Sequence, residues 1–329
     1  MRWLITGGCG FIGTSLIGRL ANENGQTIRV VDNLSVGTRD DLGAVCEFDE
    51  ITVASTDSLP AQTDSGSVQL VVGDILDADL AIKLGRDVDV IVHLAANTGV
   101  EPSVSNPRQD CQTNVIGTLN YLEACRIHSV RRFVFASSGA PVGEIEPPVH
   151  EEVVPHPVSP YGASKLAGEA YCSAYFRTFG VETVALRFGN VYGPGSTHKN
   201  SVVARFIKQG FNGETLEIYG SGNQTRDFIF NGDLVRAIML AAEKEGIGGE
   251  IFQIATGAET TVNGLVGELQ QLFDGRGIQL KTTLAAPRVG DVARNYSDTT
   301  KAKNVLGWTC GMTLHEGLKQ TIDWFARRE

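Results

Sequence analysis

"LITGGCGFIGTSLIGRL", residues 4–20, runs from a short apolar stretch through a glycine-punctuated turn into a helical pattern, with Gly7, Gly10 and Gly13 spaced G-x-x-G-x-x-G. Glycines at that spacing let the backbone turn sharply after a strand and approach a pyrophosphate, whose charge the amides of a helix N-terminus then hold. A purely structural tight turn explains a lone glycine trio as well. The next apolar run, "TIRVVD", closes on Asp32, 19 residues after Gly13. An acid at that distance can accept hydrogen bonds from an adenosine ribose and repels a 2′-phosphate, which favours NAD over NADP. The same "DNLS" also fits an ordinary strand-end turn.

Outward from this unit, "RWLIT", "TIRVVD", "VQLVVGD", "VDVIVHLAA", "RRFVFASS" and "VETVALRF" punctuate the first half of the chain. Most are dense in Val, Ile, Leu or Phe with little polar alternation, as in strands buried on both faces of a parallel sheet. Alternating with helical patterns, they predict an α/β class with a doubly wound parallel sheet of Rossmann type. "CEFDEITVASTDSLPAQTDSGS" (46–67) is rich in Ser, Thr, Asp and Gly and reads as a surface excursion without chemistry of its own. Beyond about residue 190 the regular alternation breaks up. "SVVARFIKQGFNG", "GDLVRAIMLAAEK", "TVNGLVGELQQLF" and "MTLHEGLKQTIDWFARRE" read as helices, and "TLEIYG" and "EIFQIA" as strands. No repeat or linker sets off this smaller mixed α/β part, so it is expected to pack directly on the sheet.

The chain has 329 residues, 42% of them hydrophobic and 20% charged, which is ordinary globular composition. Its 28 Lys+Arg against 38 Asp+Glu give a net charge of −10, and the basic residues are scattered. That argues against nucleic acid or an anionic membrane as partner. The six cysteines form no C-x-x-C pair and no Cys/His cluster, so reduced thiols and no metal are expected. "MRWLITGGCG" reaches glycine after too short an apolar run for a signal peptide, and no stretch approaches the ~20 apolar residues that cross a bilayer. The expected location is the cytoplasm.

"SPYGASKLAGEAY" (159–171) places Tyr161 and Lys165 four positions apart at the start of a helical pattern, on one face. A tyrosine with pKa about 10 is a poor base at neutral pH. An adjacent ammonium and the pyridinium of NAD⁺ would lower it into a working range. Alone, Tyr-x-x-x-Lys is a common accident.

It does not stand alone. "GGCGFIG", "VVDNLS", "GDI", "HLAA", "NVIGTLNYLEAC", "FASSGAPVGE", "PVSPYGASKLAGE", "RFGNVYGPG", "QTRDFI" and "PRVGD" follow one another over nearly the whole chain. In this order they make the sequence resemble the extended short-chain dehydrogenase/reductase family, in particular its NAD-dependent nucleotide-sugar 4-epimerases of the UDP-glucose (UDP-galactose) type. The resemblance implies a dinucleotide-binding domain over residues 1–190 that also receives segments near 227–256, and a mainly nucleotide-sugar-binding part over 191–329. It implies Ser138 as the hydroxyl bonding the reacting sugar oxygen, Tyr161 as acid/base and Lys165 as holder of the nicotinamide ribose. Around NAD it places Gly7, Gly10, Phe11, Ile12 and Gly13 by the pyrophosphate, and Asp32, Asn33 and Ser35 by the adenosine ribose. Asp74 and Ile75 fall by the adenine, and Leu94, Ala95, Ala96 and Asn114 along the nicotinamide half. For Leu94 and Ile75 a place in the sheet core is an equal alternative.

For a UDP-sugar, the resemblance implies Arg226 and Arg288 on the diphosphate, Asn190 and Asn200 beside it, Leu216, Glu217 and Tyr219 edging the uracil, and Asp291 on the ribose. Without the family, either arginine reads as a surface ion pair. Gly139 and Ala140 stand where the family's dehydratases carry an acidic pair, which leaves epimerisation: proton removal from the sugar 4-OH, hydride transfer to NAD⁺, turning of the 4-keto sugar and hydride return. The cofactor ends each cycle unchanged and should stay bound. Val142 replaces the usual tyrosine after the serine segment, Asn295 takes the position that gates the C2 substituent, and Asn190 stands where uronate-specific relatives carry threonine. Other nucleotide sugars, uronates, or a non-catalytic NAD-binding regulator remain the alternatives. Two helices, with "TNVIGTLNYLEAC" and "YGASKLAGEAYCSAYF", carry apolar faces that point to a homodimer.

Overall fold

The computed structural model describes residues 1–52, 66–287 and 292–328. Eight parallel strands form the central sheet: β1 (Arg2–Thr6), β2 (Thr27–Asp32), β3 (Asp49–Glu50), β4 (Val68–Val72), β5 (Val90–His93), β6 (Arg132–Ser138), β7 (Thr183–Phe188) and, after the short strands β8 (Asn190–Tyr192), β9 (Thr215–Tyr219), β10 (Thr225–Arg226) and β11 (Phe228–Phe230), β12 (Glu250–Ile254). Their order across the sheet is β12-β7-β6-β5-β1-β2-β4-β3. The chain therefore reverses direction between β1 and β5. In open α/β sheets the crevice beyond the carboxyl ends of the strands at such a point receives the ligand.

Successive side chains of a strand face opposite sides, and the core follows that rule. Trp3 and Ile5 of β1 join a cluster with Leu16, Ile17, Leu234 and Ile238, while Leu4 joins Tyr121, Leu122, Phe133 and Cys172 on the other face. Each face is thus covered by helices, and the strands need no polar face. All six apolar runs of the first half are strands of this sheet.

The mixed second half contributes to both layers. "EIFQIA" pairs with β7 in register Glu250↔Val184 and extends the main sheet. The Asn231–Glu243 helix packs its apolar side, including Leu234 and Ile238, into the core on one face of the sheet. A third core joins the Val202–Phe211, Val262–Asp274 and Leu314–Ala326 helices around Phe206, Leu216, Leu269, Phe273 and Ile322. Three short pairings complete this part: β8 (Asn190–Tyr192) with β11 (Phe228–Phe230), β9 (Thr215–Tyr219) with β14 (Lys281–Ala285), and β10 (Thr225–Arg226) with β13 (Thr260–Thr261). The polar, exposed β14, "KTTLA", offers no hydrophobic signal. Of the 46–67 excursion, Asp49–Glu50 adds a short edge strand beside β4, and residues 53–65 lie outside the described residues.

Candidate active site

The glycine turn is held by steric exclusion. Gly7 has φ +68, and a side-chain carbon there would stand 2.8 Å from the Ala95 amide nitrogen. At Gly13 it would stand 2.5 Å from both the Gly7 carbonyl oxygen and the Gly8 Cα. No side chain caps the helix Phe11–Leu20, whose N-terminus begins at Gly10, so the amides of its first turn face the crevice without a competing acceptor from a cap. A backbone cradle that excludes every side chain and ends in open amides fits a pyrophosphate.

Asp32 is buried at the end of β2, accepting from the backbone amides of Cys9 (2.9 Å) and Leu34 (2.9 Å). Burial raises its pKa, with the two amides opposing. Its role in the turn and an acceptor role toward a ribose are therefore compatible, since each oxygen keeps a further lone pair. Asn33 donates to Asp74 (3.1 Å) and accepts from the Ser35 amide (3.1 Å), so these three residues edge the crevice together. Ile75 is buried against Gly117, the core place the sequence allowed it.

Leu94, Ala95 and Ala96 follow β5 as half-buried wall residues. Asn114 is 1% exposed in a π-helical turn, Gln112–Ile116, and uses its whole carboxamide. The two hydrogens of its Nδ2 are shared among the Asn97 carbonyl (3.0 Å), Asp110 (2.9 Å) and the Ser164 hydroxyl (3.0 Å), and its oxygen accepts from the Asn97 amide (2.8 Å). That ties the wall after β5 to the helix carrying Tyr161.

Ser159 caps that helix, Pro160–Phe179, by accepting from the Gly162 amide (3.1 Å), and Pro160 opens its first turn. Tyr161 is thereby fixed beside Ser138, which ends β6. Burial raises the Tyr161 pKa, and a hydrogen bond with Ser138 lowers it. The Ser138 hydroxyl also accepts from the Ala140 amide (3.0 Å).

Lys165 stands on the same helix face as Tyr161. Its ammonium, 3% exposed as a residue, donates to the Ala136 carbonyl (2.8 Å) and lies 6.0 Å from the centroid of the Tyr161 ring. The buried ammonium takes this β6 carbonyl, two residues before Ser138, as its acceptor. Burial pushes the Lys165 pKa down to about 8, against Asp110 and Glu169.

One turn further, Glu169 forms a buried pair with Arg187 of β7 through two hydrogen bonds (2.8 and 2.7 Å), and Ser137 donates to it (2.6 Å). This floor beneath Ser138 escaped the sequence analysis. Its signal is an arginine inside an otherwise apolar strand, "TVALRF", which requires an anionic partner.

The sugar-half candidates are looser. Asn190 and Asn200 are exposed, Asn190 opening β8 with its amide bonded to the Asp227 carbonyl (2.7 Å). Arg226 holds the Val292 carbonyl (2.7 Å). Asn295 donates its amide to Thr225 (3.2 Å), and its side-chain nitrogen lies 4.0 Å from where a side-chain carbon on Gly139 would stand. It therefore faces the turn that carries Ser138. Glu217 is exposed and Tyr219 half-buried under Arg205, with the guanidinium 5.0 Å from its ring centroid. Leu216 is fully buried in the third core, so its side chain cannot edge a base and only its backbone is left for that role. Val142 is likewise buried and presents no group to a sugar. Arg288 and Asp291 lie outside the described residues. Among the described residues no His, Cys, Asp and Glu cluster is arranged to hold a metal ion, and no helix is long and apolar enough to cross a membrane.

Residues 3–255 match the model of the NAD dependent epimerase/dehydratase family. A protein of Methanocaldococcus jannaschii named putative UDP-glucose 4-epimerase is 37% identical, covering 98% of this chain and 97% of its own. The crystal structure of a UDP-glucose 4-epimerase from Thermotoga maritima, with UDP-glucose, superposes with a TM-score of 0.88 at 35% identity, covering 100% and 99% of the two chains. A UDP-N-acetylglucosamine 4-epimerase from Methanobrevibacter ruminantium, in complex with UDP-N-acetylmuramic acid, superposes at 0.86 with 28% identity, covering 100% and 99%. A UDP-glucuronate 4-epimerase is also among the relatives. Fold, glycine cradle and serine–tyrosine–lysine set agree with this kinship: the chain belongs to the NAD-dependent epimerase/dehydratase family of extended short-chain dehydrogenases/reductases, among its UDP-sugar epimerases, with NAD as cofactor.

Proposed function

We infer that the protein is a cytoplasmic 4-epimerase of UDP-hexoses, interconverting UDP-glucose and UDP-galactose and accepting N-acetylated forms. The observation carrying this reading is the placement of Ser138, at the end of β6, next to Tyr161 at the start of the Pro160–Phe179 helix, with only Gly139 and Ala140 following the serine. Dehydration needs further acid/base groups at the positions those two small residues occupy. All six cysteines are free thiols, which suits the cytoplasm.

Tyr161 takes the proton of the sugar 4-hydroxyl while Ser138 holds the same oxygen, and gives the proton back once the 4-keto sugar has turned. NAD⁺, when bound, supplies the reversible acceptance of the C4 hydride. The Gly7–Gly13 turn would hold its pyrophosphate, Asp32, Asn33, Ser35 and Asp74 its adenosine side, and Lys165 its nicotinamide ribose. Asn114 fixes the wall after β5 against the catalytic helix, so the distance between sugar and cofactor is set by a buried network. Arg226 with Arg288 would neutralise the sugar nucleotide's diphosphate, and Asp291 would take its ribose.

Incubation with UDP-glucose, UDP-galactose, their N-acetylated forms and UDP-glucuronate, followed by chromatography for the C4 epimer, tests the reading. Epimers of the hexoses and N-acetylhexosamines support it. Conversion of glucuronate alone assigns a uronate enzyme, and no conversion leaves a binding protein.

A homodimer is part of the same reading. Ile116 and Ile127, and Tyr171 and Phe179, are exposed on the two segments around Gly117–His128 and Pro160–Phe179. Pairing of these helices with those of a second copy would cover them. Light scattering at micromolar concentration should give twice the chain mass, and a monomeric mass would refute the dimer.

A further inference from the structure

The loop between β8 and the Val202–Phe211 helix, "GPGSTHKN" (193–200), belongs by sequence to the sugar half, yet its contacts run to the cofactor half. His198 Nε2 lies 3.0 Å from Asp41 Oδ2, on the short helix Arg39–Gly43 that follows β2. Lys199 Nζ stands 5.0 Å from the centroid of the Phe11 ring, the residue with which the helix after the glycine turn begins. The loop is also braced from behind. Lys208 donates to the carbonyls of Thr197 (3.2 Å) and Lys199 (3.0 Å), and the Ser196 hydroxyl to that of Gly193 (2.8 Å).

Lys208 and Lys199 differ in how their charge is satisfied. Lys208 has two good acceptors. Among the described residues the Lys199 ammonium meets one, the Val191 carbonyl at 3.5 Å, at the outer limit of a hydrogen bond, and no carboxylate. Burial pushes its pKa down to about 8. A half-buried ammonium held only by a long hydrogen bond and an aromatic face is poorly satisfied, and an anion at that point relieves the cost. The group beside Phe11 that the glycine turn is shaped to hold is a diphosphate.

We propose that residues 196–199 form a clasp across the dinucleotide, in which Lys199 pairs with its diphosphate and the His198–Asp41 contact fastens the clasp to the cofactor half. A UDP-sugar carries a diphosphate too, but the contacts to Phe11 and Asp41 place the lysine on the dinucleotide's side. The inference rests on the glycine turn as the pyrophosphate site and goes beyond it, because it gives a physical reason for a cofactor that stays bound: a loop of the sugar half must lift before NAD leaves.

Wild type, Lys199→Met, Lys199→Arg and Asp32→Asn are purified as holoenzymes and dialysed exhaustively. Retained NAD is measured by nucleotide chromatography, and the affinity for UDP by calorimetry. Lys199→Met should retain NAD about tenfold less well or worse, Lys199→Arg should stay near wild type, and UDP affinity should stay within about twofold in both, as expected for loss of one charge-assisted contact. Rescue by arginine separates lost charge from misfolding. Full retention of NAD by Lys199→Met, with loss in Asp32→Asn, overturns the clasp and leaves the glycine-turn site standing. Weaker UDP binding with NAD intact assigns the lysine to the sugar nucleotide and also overturns it. Retention of NAD by Asp32→Asn overturns the glycine-turn site itself, and the clasp with it.

Discussion

A side-chain carbon at Gly13 would stand 2.5 Å from two backbone atoms, and Asn114 commits both ends of its carboxamide to fixed partners, so the cofactor half of the crevice admits almost no change of shape. In the half proposed for the sugar, Asn190, Asn200 and Glu217 are exposed, and Asn295 reaches the turn after Ser138 from a stretch of irregular chain. One half is defined by what backbone packing forbids and the other by what exposed side chains offer. A site of the first kind suits a cofactor that ends each cycle unchanged, and one of the second kind suits a substrate family whose members differ by one substituent.

The comparison breaks first at Gly13. Gly13→Val forces two Cβ substituents into occupied space, so the holoenzyme should lose nearly all bound NAD and fold poorly, while Asn200→Val should bind NAD as before; equal cofactor content in both would show that the turn is not the site. Glu169→Gln comes next. It leaves the Arg187 guanidinium buried against a neutral partner, and breaking such a pair costs about 3–5 kcal/mol, readable as a lower urea midpoint. Glu217→Gln on the exposed side should stay within about 0.5 kcal/mol, and similar values for the two would erase the contrast.

Asn295→Tyr sharpens the other side. It should slow the N-acetylated sugars by about tenfold or more by filling space beside C2, with UDP-galactose little affected. A comparable loss on both classes, or no N-acetylated turnover in the unmutated protein, would show that Asn295 is not the gate.

The smallest effect is the pH dependence of stability. Burial lowers the Lys165 pKa from 10.5 to about 8. Between those values the unfolded chain keeps a proton the folded chain has released, so the lysine's burial cost, fully present below about 8, is relieved as pH rises. Wild type should therefore gain stability relative to Lys165→Met from pH 8 to 10.5, a difference in which the cysteine and tyrosine ionisations cancel. A pH-independent difference would mean that the ammonium is well solvated.

This contrast also governs what could be read from the sequence. Excluded volume leaves glycines, and a two-sided sheet leaves unbroken Val/Ile/Leu runs, so the glycine turn and seven of the eight sheet strands were legible from the sequence, the exception being the two-residue, exposed edge strand Asp49–Glu50. The i,i+4 spacing put Lys165 on the Tyr161 face, but its hydrogen bond to the Ala136 carbonyl was not legible, because spacing along a helix fixes direction and not which strand carbonyl a buried ammonium meets. Leu216 read as a base contact from the family resemblance of its segment, whereas strand alternation turns its side chain inward. The Glu169–Arg187 floor and the His198–Asp41 contact join residues 18 and 157 positions apart; the arginine inside "TVALRF" signals that a partner is needed without saying which, and nothing local announces the second contact.

The central claim is that one tyrosine, placed beside Ser138, supplies the only proton transfer the reaction needs. Tyr161→Phe keeps the ring and its packing and removes the hydroxyl alone. Interconversion of UDP-glucose and UDP-galactose, followed together with NAD content, should fall by about a thousandfold while the cofactor stays at wild-type stoichiometry. Near wild-type epimerisation by Tyr161→Phe would contradict the account.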